Sequence, residues 1–142
     1  MKKMMLLAAL ISAGTTLFAH GHPEGTGDST KQFLLIVRYK TNTPSPSPDA
    51  MKTIGAHWGA FLGQLAQSGK LVIGYRPGTE GKTISGSTKT IRQGAYDDKE
   101  VVSSIFVIRA GSMDEATEIA KKCPIYETDG SVEVREIGNT AN

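Results

Sequence analysis

Histidine is the residue type in this chain best suited to proton transfer, and one histidine lies outside the N-terminal segment. His57 stands next to Trp58, the only tryptophan, in a stretch with three glycines spaced four residues apart. An imidazole with an ordinary pKa of about 6.5 can accept or release a proton near neutral pH. We therefore predict His57 as a candidate general base. The alternative is a histidine that packs its ring at a helix edge and leaves its tip in water.

A set of cationic and aromatic residues are candidates for ligand contact. Tyr75 and Arg76 end a predicted strand at a loop, where anion-binding residues often lie, with an exposed surface pair as the alternative. Trp58 can stack on a ligand or pack in the core or a dimer interface. The full predicted set is Arg38, Trp58, Tyr75, Arg76 and Tyr96.

His20 and His22 form a candidate metal site that depends on processing. If an export signal is cut after Ala19, the mature chain begins His20-Gly21-His22. A free amine, two main-chain amides and an imidazole can surround Cu(II) or Ni(II) in a square plane. The sequence therefore predicts copper or nickel binding on that condition, with a solvated histidine pair as the alternative. We predict no other cofactor.

Residues 1–19 have the pattern of an export signal. Met1-Lys2-Lys3 is basic, Met4 to Ile11 is an uncharged apolar run, and small residues lead to Ala19. The apolar run is shorter than the roughly 20 residues that span a bilayer. We therefore expect an exported protein, periplasmic or secreted, with no membrane attachment after cleavage.

The charge balance argues against a nucleic-acid-binding protein, and the cysteine count excludes a domain held together by a disulfide. The chain has 16 basic and 14 acidic residues, and removal of Lys2 and Lys3 leaves 14 of each. A near-neutral domain lacks the positive field that attracts nucleic acid. The single cysteine, Cys123, excludes an internal disulfide. Its position at a helix C-terminus favours a buried thiol over a nucleophile.

A long helix is predicted around His57, from Pro48 to Ser68. Ser47 is suited to the N-cap, proline to the first helical position, and Gly69 to the C-terminal stop. Apolar residues recur three and four apart and form one stripe. The stripe contains Met51, Ile54, Trp58, Phe61, Leu62 and Leu65.

Gly55, Gly59 and Gly63 line one edge of this helix. Each glycine costs about 1 kcal/mol relative to alanine inside a helix, so three of them need a compensating gain. We predict that they allow close approach to a neighbouring helix or to a partner subunit.

The remaining elements complete an α+β pattern. Main strands are predicted over 32–39, 70–75, 101–109 and 131–137, with a polar hairpin over 82–92. A second helix, capped by Ser112 and Glu115, continues to Lys122 or Cys123. Its predicted inward residues are Met113, Ala116, Ile119, Ala120 and Cys123. The order predicts a ferredoxin-like βαββαβ domain, an antiparallel sheet with two helices on one face.

The first and third main strands are apolar on both faces. The continuous runs are Phe33 to Val37 and Ile105 to Ile108. Since the helices cover one face of the sheet, the other face must be buried by something else. A second copy packed sheet to sheet is the simplest partner, so we predict a homodimer.

The chain resembles the YCII-related family, in its DGPF-like branch, from about Gln32 to Ile137. The matching segments follow one another in the family's order. They are Phe33 to Arg38, Trp58 to Phe61, Gly69 to Leu71, Gly94 to Tyr96, Asp98 to Glu100, Met113 to Ala116, Cys123-Pro124 and Val132 to Arg135.

The resemblance implies a ferredoxin-like fold assembled into a dimeric α/β barrel. It also implies a candidate active site made of a histidine and an acidic partner, with His57 at the corresponding helix position. Where many relatives have Asp-Gly-Pro-Phe, this chain has Gln93-Gly94-Ala95-Tyr96, and where some have Asp before the proline it has Cys123. Asp97 is then the first candidate for the acidic partner and Asp98 the second, and a solvated turn at these two residues is the alternative.

Two functions from different classes remain open. The first is an exported dimer with a small-molecule pocket and acid–base chemistry centred on His57, helped by Arg38, Tyr75 or Asp97. The second is a non-catalytic binding or assembly module in which the same residues pack. The predicted organisation is a signal peptide over 1–19, an arm over 20–31, the domain over 32–138 and a tail over 139–142.

Overall fold

The structure, a computed structural model, describes residues 30–78 and 80–138. The elements alternate in type along the chain. They are β1 (Lys31–Lys40), α1 (Pro48–Gln67), β2 (Leu71–Tyr75), β3 (Lys82–Ser85), β4 (Thr90–Gln93), β5 (Glu100–Ala110), α2 (Met113–Ala120), a short 3₁₀ helix (Pro124–Thr128) and β6 (Ser131–Glu136).

The main sheet has four strands in the order β2-β5-β1-β6, and each neighbouring pair is antiparallel. β1 and β2, joined through α1, lie on either side of β5, which gives the split βαβ arrangement. Strands β3 and β4 form a separate two-stranded hairpin inserted between β2 and β5. The predicted α+β, ferredoxin-like fold is confirmed.

Both helices pack on the same face of the sheet. Phe33, Leu35 and Val37 of β1 are at most 1% exposed. They share one core cluster with Phe61 of α1 and Ala116 of α2. The alternate residues of β1, beginning with Leu34, point to the opposite face and are only partly buried. The sheet therefore has one closed face and one open face.

α1 begins and ends where the sequence predicts. The Ser47 side chain accepts a hydrogen bond from the Ala50 amide, and proline occupies the first turn. At the other end Gly69 has a φ of +67°, a left-handed conformation that favours glycine. Because residues at each end of α1 specify where the helix starts and stops, the local sequence sets its length.

The glycine edge of α1 differs from its prediction. A methyl group placed on Gly55, Gly59 or Gly63 would meet nothing within 4 Å. The predicted close approach to a neighbouring helix is therefore wrong for the described residues. Approach to a partner subunit stays a prediction.

α2 is shorter than predicted because the chain turns into the 3₁₀ helix at Pro124. Its cap is reciprocal: Ser112 accepts from the Glu115 amide, and the Glu115 carboxylate accepts from the Gly111 amide at 2.7 Å. Ala116, Ile119, Ala120 and Cys123 are buried as predicted. Met113 is 41% exposed, so its predicted inward position is wrong; it stands in the first turn, at the rim.

The predicted signal peptide over 1–19, nearly all of the arm over 20–31 and the tail over 139–142 lie outside the described residues. Within the described part of the chain, no helix is long and apolar enough to cross a membrane.

Candidate functional site

A cleft of about 500 Å³ lies between α1, the end of β2 and the middle of β5. This volume lies within the range of pockets that hold small organic molecules. Apolar side chains supply most of the lining. They are Tyr39, Trp58, Leu62, Leu71, Tyr75, Phe106 and Ile125.

Trp58 and Phe106 form a continuous aromatic wall in this cleft. Their ring centroids are 6.1 Å apart and their planes are tilted by 37°. Phe61 meets the other side of Trp58 edge to face, at 6.1 Å and 80°. Such contacts fix ring orientations, because the positive edge of one ring faces the negative face of the next. The indole is thus held from inside the core and presents a surface to the cleft.

Gly74 makes room for the Phe106 ring. A methyl group placed on Gly74 would lie 2.7 Å from Cδ1 and 2.9 Å from Cε1 of Phe106. The two residues are paired across β2 and β5, and the ring occupies the space that a side chain at position 74 would fill. Any side chain at this position would force the ring to move.

A register shift in β5 places a second serine, Ser103, beside Ser104 in the lining of the cleft. Val37 pairs with Ser104 and the next residue, Arg38, pairs with Val102, so Ser103 is the extra residue of a bulge. In a regular strand Ser103 and Ser104 would point to opposite faces, whereas a bulge re-aims a side chain. Both serines line the cleft.

Ser104, Arg76, Tyr39 and Tyr75 line the cleft with polar side-chain groups that make no hydrogen bond to the described residues. Ser104 is the one buried polar side chain of the described residues, at 9% exposure. The Ser104 hydroxyl makes no hydrogen bond to the described residues. Every fully enclosed polar side-chain atom among those residues has a partner, so this hydroxyl is not fully enclosed and opens into the cleft. Arg76 lines the mouth. No aspartate or glutamate lines the cleft among the residues that the structure describes.

The structure brings together Trp58, Tyr75 and Arg76 of the predicted ligand-binding residues. Arg38 lies elsewhere, on the open face of the sheet, where its guanidinium pairs with Glu133 at 2.7 Å. Tyr96 is 84% exposed and lines a second cavity beside the hairpin.

His57 pairs with an acidic residue that the sequence did not single out. Its Nδ1 lies 2.9 Å from Oε1 and 3.1 Å from Oε2 of Glu127. This contact favours the tautomer with the proton on Nδ1 and leaves Nε2 open. The His57 side chain is 53% exposed and does not line the cleft, although its neighbour Trp58 does.

Asp97 is engaged in its own loop. Its carboxylate accepts a hydrogen bond from the Lys99 amide at 2.8 Å. This is a local turn of the kind that aspartate favours, and the carboxylate that meets His57 belongs to Glu127 instead.

Glu127 comes from the 3₁₀ helix, which lies between the predicted second helix and the last predicted strand. Pro124 at its first position was a usable signal, because proline is suited to the start of a helical turn. No sequence signal links this turn to α1, since 70 residues separate His57 from Glu127.

Cys123 does not line the cleft. Burial raises the pKa of the Cys123 thiol to about 11, which keeps it protonated and unreactive at neutral pH. No group of three or more His, Cys, Asp or Glu side chains that could hold a metal ion occurs in 30–78 or 80–138. His20 and His22 lie outside the described residues.

Comparison with known proteins identifies a family and similar solved structures. The family model for the YCII-related domain matches residues 32–140. No curated protein matches. A solved structure of 5-chloro-2-hydroxyhydroquinone dehydrochlorinase (TftG) from Burkholderia phenoliruptrix AC1100, in complex with 2,5-dihydroxybenzoquinone, is similar at 22% identity and a TM-score of 0.41, over 75% of this chain and 93% of that one.

Proposed function

The chain belongs to the YCII-related family, and from that premise we propose that it is a binding protein for a small ring compound held in the cleft. The observation that carries this proposal is the cleft itself: an aromatic wall, an apolar floor and a few unpaired polar groups in about 500 Å³. Ligand sites combine these features, because apolar surface supplies affinity and a few polar groups fix orientation.

Trp58 gives a direct test, since it is the only tryptophan. A panel of one-ring and two-ring compounds is screened by melting temperature, and each hit is followed by tryptophan fluorescence and by the single indole N–H signal in NMR spectra. We expect hits to shift that signal. Hits that raise the melting temperature without moving it would place binding elsewhere and contradict the proposal.

Gly74→Ala is the matching variant. Because its methyl group would force the Phe106 ring, which lines the cleft, to move, we expect weaker binding of every hit, by about tenfold for a loss of roughly 1.4 kcal/mol. Gly59→Ala is the control: the residue is exposed on α1, meets nothing within 4 Å and does not line the cleft. Its affinities should equal those of the wild type.

Acid–base chemistry at His57 is a second candidate, favoured by the contact with Glu127. A carboxylate that holds Nδ1 orients the ring and stabilises the imidazolium that forms when Nε2 takes a proton. Because His57 borders the cleft through Trp58 without lining it, this chemistry needs a ligand that extends past the indole.

Isotope exchange tests this candidate without knowledge of the reaction. Each hit is incubated with the protein in D₂O, and deuterium uptake at its C–H bonds is followed by NMR. We expect His57→Gln to slow exchange by about 10²–10⁴-fold, the usual contribution of a positioned base. Glu127→Gln should also slow it, whereas Glu118→Gln, a surface glutamate paired with Lys121, should not. No exchange with any hit would contradict the candidate and leave the binding function standing.

The homodimer is part of the proposal. Its support is the open face of the sheet, where Leu34, Ile36, Ile105 and Val107 stand side by side with only partial burial. A second copy packed on this face would bury them. Light scattering on the purified protein should give twice the mass of one chain; a single-chain mass would contradict it.

Export and metal capture rest on the N-terminal sequence. We expect intact-mass measurement of the protein recovered from its native compartment to show a chain beginning at His20. That chain should develop the visible absorption band of square-planar Cu(II), with His20 and His22 as donors. An uncut N-terminus would contradict both, and a cut chain without the band would contradict the metal site alone.

A further inference from the structure

We infer that the ligand of the cleft is a planar aromatic carboxylate whose acidic group pairs with Arg76 at the mouth. This inference rests on the proposed binding function and adds the charge and the shape of the ligand.

The first support is that Arg76, unlike the other arginines of the chain, donates to no acceptor among the described residues. The chain has five arginines. Four of them donate to an acceptor of the protein: Arg38 and Arg135 to Glu133, Arg92 to main-chain carbonyls of its loop, and Arg109 to the Gly69 carbonyl. Arg76 alone makes no such contact to the described residues, and it is the one that lines the cleft.

The second support is the sign of the charge around the cleft. Arg76 is the single charged residue of its lining, and the rest is aromatic, aliphatic or hydroxyl-bearing. An apolar wall weakens the screening of a nearby charge by water, so a lone guanidinium attracts an anion and repels a cation. The planar fork of donors matches the two oxygens of a carboxylate.

The third support is the shape of the wall and the polar group inside it. The Trp58 and Phe106 rings present flat π surfaces, which suit a flat ligand ring. Ser104 is only 9% exposed, and its hydroxyl makes no hydrogen bond to the described residues. That hydroxyl opens into the same space. A ring bearing a carboxylate at one end therefore uses the aromatic wall and Arg76 together.

A charge series on one ring system tests the inference. The probes are 2-naphthoate, the neutral 2-naphthamide and the cationic 2-naphthylmethylamine, each measured by Trp58 fluorescence and by melting temperature. We expect 2-naphthoate to bind at least about tenfold more tightly than the amide, and the amine to bind weakest.

Arg76→Gln should remove the preference for the carboxylate and leave the affinity for the amide unchanged, while Arg76→Lys should restore part of it. Lys52→Gln is the matched control, because it also removes one positive charge but from the exposed surface of α1, outside the cleft. It should keep the preference.

The outcomes distinguish failure of the aromatic-carboxylate inference from failure of the proposed binding function. Equal binding of 2-naphthoate and 2-naphthamide, or a preference that survives in Arg76→Gln, would overturn the inference while binding in the cleft still stands. No response to any ring compound, in this series or in the wider panel, would overturn both.

Discussion

In the centres of β1 and β5 both faces of the sheet are apolar, and the two faces differ in what covers them. In β1, Leu35 points to the closed face and is 1% exposed, while its neighbour Ile36 points to the open face and is only partly buried. The same holds in β5, where Ile108 is fully buried and Val107 is not. The closed face is filled by α1, α2 and the 3₁₀ helix of the same chain.

The difference separates folding from assembly. Side chains on the closed face lose contact with water when the single chain folds, so their burial contributes directly to its stability. Side chains on the open face gain that contribution only when another surface covers them. Adjacent residues of one strand point to opposite faces of the sheet. Substitutions at such neighbouring positions therefore affect two different equilibria, the folding of one chain and its association with a second surface.

The largest expected effect separates the two faces within one strand. Leu35→Ala should lower the free energy of unfolding by about 2–5 kcal/mol, because it leaves a cavity in the closed core. Ile36→Ala should cost clearly less at protein concentrations where the chain is monomeric. Urea unfolding monitored by circular dichroism measures both. Equal losses of unfolding free energy in the two variants would contradict this prediction, because they would mean that both faces of the sheet are equally buried within one chain.

The next prediction concerns the surface that we propose joins two copies. Ile36→Lys should convert the proposed dimer to a monomer with little change in the fold, because a charge in an apolar interface lacks a partner. Gly59→Leu should lower the mass only if the glycine edge of α1 also meets the partner subunit, because within one chain a methyl group on that glycine meets nothing within 4 Å. Light scattering distinguishes the two variants. A dimer that persists in Ile36→Lys and dissociates in Gly59→Leu would move the interface to the glycine edge of α1.

The smallest effect concerns the polar margin of the open face. The Arg135 guanidinium and then that of Arg38 lower the pKa of Glu133. A carboxyl with a lowered folded pKa contributes stability above the ordinary glutamate pKa, and the contribution is lost as the pH falls through the folded value. Glu133→Gln should therefore melt slightly below the wild type at neutral pH, and the difference should vanish in acid.

Melting curves recorded from pH 7 to pH 2 test the role of Glu133. Glu118→Gln, which removes a glutamate from an exposed pair on α2, is the control and should give a smaller difference. A gap between wild type and Glu133→Gln that widens in acid would contradict the sign of this prediction.

The helices were predictable because their signals are local. The Ser47 cap, the proline after it and Gly69 fix α1 within a turn of the observed bounds. The end of α2 was less predictable, since the chain continues into a 3₁₀ helix whose Asp129 cap adopts a left-handed conformation. Such a turn is short and is stabilised by packing against α1 and β1.

The cleft was predictable only in part. Trp58, Tyr75 and Arg76 were candidates because aromatic and cationic residues near strand ends often contact ligands. Ser103 could not be foreseen, because its direction depends on a bulge in the pairing of β5 with β1. Gly74 could not be foreseen either, since its role depends on the Phe106 ring across the sheet.

The sequence by itself determined the order and kind of the elements, the family and the apolar strands that need covering on two sides. These follow from caps, periodicity and turn residues, which act over a few positions of the chain. The tertiary structure alone decided that Glu127, and not Asp97, meets His57, and that Arg76 lies beside an aromatic wall without an acceptor among the described residues. Pairings between residues so far apart in sequence depend on strand register and helix packing, and no local pattern encodes them.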